Sequence, residues 1–235
     1  MPNWAYSKVT VMGDINEVSR LKEQLAQPYQ DPHNPDRTNE GVFLLWNIVK
    51  PTNMSAYLGE EQKAFDEIVK ADPALAELNQ LVTPEPENIM AKVFHTMATS
   101  DSWYEWNCRN WGTKWDLVGD KAKIARESVE YLTDLYNDDL SKPMPANLHL
   151  EYRLESAWSP PVEALQALAD QYPDVVISLE SIDESDCFAM SAQWFRIPVS
   201  PNEYVPQFVE QDEEITHELG MELRGYCNLE CCEVF

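Results

Sequence analysis

The sequence is poor in the residues on which most small-molecule chemistry rests. It has seven glycines in 235 residues and no Gly-x-Gly-x-x-Gly, Walker or His-Glu-x-x-His pattern, which argues against phosphate-cradling loops and against a zinc-peptidase helix. His33, His95 and His149 are scattered, with no sequence-near partner to suggest a catalytic dyad. Cys108, Cys187, Cys227, Cys231 and Cys232 are odd in number, so no disulfide framework is indicated. No apolar run approaches the roughly 20 residues that cross a bilayer. The opening Met1-Pro2-Asn3-Trp4 has neither the basic nor the apolar segment of a signal peptide, so the expected location is the cytoplasm.

Basic residues are scarce as well. There are 17 Lys and Arg against 41 Asp and Glu, a net charge of −24. The imbalance is regional. Residues 151–235 carry 18 acids and three bases, Arg153, Arg196 and Arg224, a balance of −15; residues 1–150 carry 23 and 14, a balance of −9. Such a field repels nucleic acid and anionic membranes and attracts basic surfaces. Solubility alone is the plainer explanation of a high net charge, but it does not account for the regional bias. The chain nevertheless has the means to fold, with 44% hydrophobic residues, eight Trp and ten Tyr.

Val9 and Val11 alternate with Lys8 and Thr10, a strand pattern over residues 4–12. Asp14 and Glu17 have capping-box spacing ahead of Ile15, Val18, Leu21 and Leu25, which predicts a helix ending at Pro28. Residues 28–41, with three prolines, read as an exposed loop, and residues 42–49 as a buried strand. Near-helical spacings predict helices within 59–77, 87–106 and 120–136. Leu148, Leu150, Tyr152 and Leu154 alternate with polar residues in a strong strand pattern. Ser159-Pro160-Pro161 then introduces a helix, and 175–179 and 187–195 supply two more strands. The order strand, helix, strand, strand is a split β-α-β fragment, so the expected class is α+β: a ferredoxin-like sheet with a helical insertion. Three segments follow from this. Residues 1–142 form an N-terminal α+β region, a Pro143-Met144-Pro145 boundary separates it from a ferredoxin-like unit at 146–196, and an acidic tail at 197–235 packs on the body. Within that tail, one or two helices are expected over 204–223, with Val209, Ile215 and Leu219 inward.

Three short stretches carry a resemblance. They are Met1-Pro2-Asn3-Trp4 leading into Val9-Thr10-Val11, then Asn110-Trp111-Gly112-Thr113-Lys114-Trp115-Asp116, then Ala157-Trp158-Ser159-Pro160-Pro161. In order and spacing they resemble the YubB-like family of phage- and plasmid-borne proteins, over residues 1 to about 195. The resemblance implies a C-terminal ferredoxin-like domain and a mobile-element setting, and attaches no activity to particular residues.

Two surfaces compete for a function. The acidic connection and tail supply Asp183, Glu184, Asp186, Glu210, Asp212, Glu213, Glu214 and Glu218, which can imitate a polyanion and block a basic host protein, such as a nuclease or another nucleic-acid-binding defence component. Alternatively Arg109, Trp111, Lys114, Trp115 and Asp116 line a small-ligand or enzyme site; the same indoles also serve as an ordinary core. Ser159 lacks the Gly-x-Ser-x-Gly context of a nucleophile. His217, Cys227, Cys231 and Cys232 have the donor types for zinc but not its usual spacing, so neither metal nor cofactor is expected. The sequence points to a cytoplasmic binding protein rather than an enzyme, with no direct contact to nucleic acid or membrane.

Overall fold

The computed structural model describes residues 3–60, 63, 64, 67, 71, 102–131, 146–200, 203–226 and 228; for 198–200 and 203–205 it describes the backbone alone. The chain forms two compact units, residues 1–50 with 109–235, and residues 51–108.

The first unit is built on β1 (Trp4–Asp14), α1 (Ile15–Leu25), β4 (Ala122–Tyr131), β5 (Ala146–Ala157), α4 (Val162–Gln171), β6 (Val176–Asp183), β7 (Ala189–Ser200), β8 (Glu203–Asp212) and α5 (His217–Arg224). Its six strands form one sheet in the order β4-β5-β1-β6-β7-β8, every neighbouring pair antiparallel. Because β5 and β6 both run against β1, they are parallel to each other and need a crossover, which α4 supplies. A separate ribbon pairs β2 (Tyr29–Asp31) with β3 (Asn34–Asn39). The second unit contains α2 (Met54–Tyr57), where Tyr57 packs edge-on against Trp106 at 5.6 Å, and α3 (Trp103–Trp111) runs through the boundary.

Period-two patterning sets the main core. Val9 and Val11 of β1, Leu150, Tyr152 and Leu154 of β5, Ile177 and Leu179 of β6, and Trp194 of β7 share one buried sheet face. Val18, Leu21 and Leu25 of α1 and Leu165 and Leu168 of α4 are buried from the helix layer. Each such side chain contributes about 1.5–3 kcal/mol when fully removed from water. The opposite face is polar in its middle and carries a smaller cluster at one end. There Leu223 of α5 packs with Ile182 and Ala189, flanked by Tyr6, Ile215 and Leu219.

The α+β class is as expected, realised as a large antiparallel sheet. Asp14 caps α1 through the amides of Asn16 and Glu17. Four local expectations are corrected. Residues 42–49 are buried but not a strand; they hold a 3-10 turn (Leu45–Asn47), because an apolar run with no periodicity is compatible with several backbones. Residues 122–131 form β4 and not a helix. A bulge between Ile124 and Arg126 breaks the alternation, so that Ile124 and Val129, five residues apart, face the same way. The loop expected at 28–41 is the exposed β2–β3 ribbon. Residues 203–212 form β8 and not a helix; Pro206 is tolerated because β8 is an edge strand.

Strands from all three sequence segments, 1–142, 146–196 and 197–235, join the one sheet, with β1 seated between β5 and β6. Most of the helices expected within 59–77 and 87–106, the Pro143-Met144-Pro145 boundary, and Cys227, Cys231 and Cys232 lie outside the described residues. No helix among the described residues is long and apolar enough to cross a membrane.

Candidate functional site

The three sequence stretches meet at one end of the sheet. Trp158 donates its amide to Asn3 O (2.7 Å), and Lys114 and Thr113 donate their amide and hydroxyl to Ala157 O (3.3 and 2.7 Å). The Ser159 hydroxyl donates to Gly112 O, and the Ser156 hydroxyl to Ser159 O (2.8 Å). Gly112 sits at φ +80°, where a Cβ would fall 3.1 Å from both Pro160 O and Val162 N, and closer still to the Glu163 carboxylate. Only glycine accepts that approach and that backbone region without strain. Trp158, at φ 78°, is the reverse case, a bulky residue held in a left-handed conformation.

This mesh displays indoles. Trp115 and Trp158 are 39% and 44% exposed, and the Lys114 ammonium lies 5.0 and 4.8 Å from their ring centres. Trp4 packs against Trp115 at 6.1 Å, with the Lys121 ammonium 4.2 Å from the Trp4 ring. Sequence reasoning missed Trp158 as a neighbour of Lys114, Trp4 as a neighbour of Trp115, and Lys121 as a neighbour of Trp4. The available signal was that Trp4, Trp115 and Trp158 each lie in one of the three stretches singled out from the sequence.

The five residues proposed as a ligand site are placed differently from one another. Arg109 is exposed on α3. Trp111 is buried and donates from its indole nitrogen to Val49 O (3.1 Å). Asp116 turns inward and accepts from Tyr29 Oη (2.7 Å) and from the amides of Leu45 (2.6 Å), Trp46 (3.2 Å) and Leu117 (2.7 Å). Burial raises its pKa above the usual carboxylate range, against the pull of these four donors. Asp116 thus pins the buried 44–48 run, and Lys114 and Trp115 alone of the five join the indole surface.

The acidic candidates also divide. Asp183 is fully buried. It accepts from the amides of Cys187 (2.6 Å) and Phe188 (3.2 Å) and from Asn3 Nδ2 (3.1 Å). Burial pushes its pKa up, but hydrogen bonds from Asn3, Phe188, Cys187 and Ser185 outweigh it and hold the carboxyl below its usual value. Asp186, at φ 55°, pairs with the buried Arg224 guanidinium, and Glu184 is half-buried with its amide on Trp4 O. Asp183 and Asp186 thus have their carboxylates engaged within the β6–β7 turn and do not meet a partner as free charges. Glu213 accepts from Ser191 Oγ (2.6 Å) and Gln211 Nε2 (2.8 Å), in that order of effect lowering its pKa. Glu210, Asp212, Glu214 and Glu218 are exposed.

The compensating cations lie elsewhere. Of the three bases after residue 150, Arg153 reaches Glu151 (3.0 Å) and Glu222, Arg196 reaches Asp174 (3.2 Å), and Arg224 reaches Asp186. Lys8 is held between Glu180 and Glu222, and Lys121 pairs with Glu155 (3.0 Å). Among the described residues, none of Glu210, Asp212, Glu214 and Glu218 pairs with a cation.

No protein-family model matches the chain. No curated protein matches it either. A solved structure of protein api92 from Yersinia pseudotuberculosis, described by the family model DUF1281, aligns over 82% of this chain and 94% of that one at 8% identity, with a TM-score of 0.32. Similarity at that level carries no argument about fold or function.

Proposed function

We propose that this chain is an accessory binding protein, encoded by a phage or plasmid and working in the host cytoplasm, whose acidic C-terminal edge occupies a basic, nucleic-acid-binding surface of a host protein. A nuclease or other defence component fits this description, so the activity is counter-defence inhibition. The observation that carries the reading is the set of four exposed carboxylates, Glu210, Asp212, Glu214 and Glu218, at the end of β8 and the start of α5, which pair with no cation among the described residues. In an extended strand, residues two apart are about 6.8 Å apart on one face, so Glu210 and Asp212 form a short row of like charge. Uncompensated rows of this kind accelerate encounter with a basic surface and make association salt-sensitive.

The strand order supports a finer reading of the fold. The succession β1, α1, β4, β5, α4, β6 with spatial order β4-β5-β1-β6 fits a ferredoxin-like core, with β7–β8 as an added hairpin and the chain between α1 and β4 as the insertion. That arrangement agrees with the YubB-like resemblance, which motivates the mobile-element setting.

The experiment is competition. A host protein captured on the chain at low salt, identified and purified, should bind with an affinity that falls at least about ten-fold between roughly 50 and 200 mM salt, and duplex DNA should displace it. The variant carrying Glu210→Gln, Asp212→Asn, Glu214→Gln and Glu218→Gln should lose the capture. A partner indifferent to DNA, to salt and to these substitutions would overturn the reading.

A further inference from the structure

The free edge of β8 suggests how such a partner is held. Among the described residues, β8 pairs with β7 on one side and with nothing on the other. Glu213 donates its amide to Ala189 O at 2.9 Å, in phase with the Met190↔Asp212 register. Backbone groups alternate sides along a strand, so the amides and carbonyls of residues 207, 209 and 211 face β7. Those of Phe208, Glu210 and Asp212 face outward. Pro206 falls in the outward phase, where its missing N–H removes no bond to β7.

The side chains of the same three residues share one sheet face. Phe208 identifies that face: it lies 5.1 Å from Trp194 in a stacked arrangement while remaining 45% exposed. Period-two geometry puts Glu210 and Asp212 on the same side. The edge therefore offers three outward backbone rungs, and beside them, in order, an apolar ring and two carboxylates. A bare acidic patch would lack this register.

We infer that β8 binds its partner by strand addition, taking up an extended segment of a partner protein in which cations at alternate positions lie across from Glu210 and Asp212. An apolar residue of that segment covers Phe208. This rests on the acidic-edge reading and specifies its geometry: main-chain bonds supply the affinity, and the alternating side chains supply the selection. The same edge read only as protection has a ready physical account, since charges and proline on an edge strand discourage pairing. The two accounts differ in what a basic strand does when it is offered.

The probes are three capped peptides titrated against the full chain. The first alternates Lys and Thr, the second has the same composition in two blocks, and the third is the alternating peptide with N-methyl groups on the amides of one edge. Strand addition requires the alternating peptide to bind at least about ten-fold more tightly than its N-methylated form. It also requires slowed amide exchange at Phe208, Glu210 and Asp212, and not at their odd-numbered neighbours. On the protein side, Glu210→Pro removes an outward amide without touching the β7 ladder and should abolish binding, whereas Glu210→Gln keeps the amide and should weaken binding a few-fold. Equal, salt-sensitive binding of all three peptides would overturn strand addition and leave the acidic-edge reading standing. No binding by any of them would overturn both. The peptide comparison uses the unmodified protein, so it decides the matter even if Glu210→Pro misfolds.

Discussion

Two acidic segments of similar composition are put to opposite use. In Asp183-Glu184-Ser185-Asp186 two of the three carboxylates turn inward or onto a guanidinium: Asp183 collects amides from its own turn and from Asn3, and Asp186 holds Arg224. In residues 210–218, Glu210, Asp212, Glu214 and Glu218 stand in solvent. The difference arises from backbone supply. A tight turn between β6 and β7 has orphan N–H groups that need acceptors, whereas β8 has its inner groups satisfied by β7 and asks nothing of its acids. An acidic run becomes surface charge only where the local backbone does not consume it.

The largest test of that contrast is Asp183→Ala. It leaves the part-buried Cys187 and Phe188 amides without their acceptor, and it is the donors kept from water that cost about 1–3 kcal/mol each when orphaned. Chemical denaturation should show a loss of about 3 kcal/mol, while Glu210→Gln and Asp212→Asn should stay within about 0.5 kcal/mol of the parent. Equal effects at the two segments would break the comparison. Gly112→Ala should cost about 2 kcal/mol by the same measurement, since a side chain there meets Pro160, Val162 and Glu163 from a left-handed backbone.

Acid stability sharpens the contrast further. The Asp183 pKa is depressed in the folded chain, so its contribution is complete above the unfolded value of about 3.9 and disappears as pH falls through the lower folded value. Asp183→Asn should therefore flatten the acid limb of a urea-midpoint profile. Asp116 acts in the opposite sense. Its folded pKa is raised, so stability declines as pH rises from the unfolded value to the folded one, and Asp116→Asn should remove that decline. The smallest expected effect is Lys114→Ala. It should cost about 1 kcal/mol or less, yet shift the fluorescence of the flanking indoles Trp115 and Trp158.

Much of the fold was legible because alternation is unambiguous where one sheet face is buried. The strand through Leu148, Leu150, Tyr152 and Leu154, the Asp14-capped helix and the Pro160-Pro161 helix entry were all readable from residue pattern. What failed did so for physical reasons. The bulge beside Arg126 disguised an edge strand as a helix, and Val209, half exposed on another edge strand, carries no inward periodicity. The site was legible as residue types but not as directions. Nothing local distinguishes the inward Asp183 from the outward Asp212. Likewise, Trp4, Trp115 and Trp158 meet only because β1 lies beside β5 and the turns at its end interlock. Trp111 and Trp115 sit four residues apart, yet one is interior and the other is surface.

The decisive comparison is between two four-site variants of equal charge change, measured as the salt dependence of affinity for the purified partner. One carries Glu210→Gln, Asp212→Asn, Glu214→Gln and Glu218→Gln. The other neutralises the exposed Glu23, Asp36, Glu40 and Asp120. The account predicts that the first loses most of the affinity and most of its dependence on ionic strength, and that the second behaves as the parent. Matching losses in both would contradict it, since the interaction would then respond to net charge and not to the β8 edge.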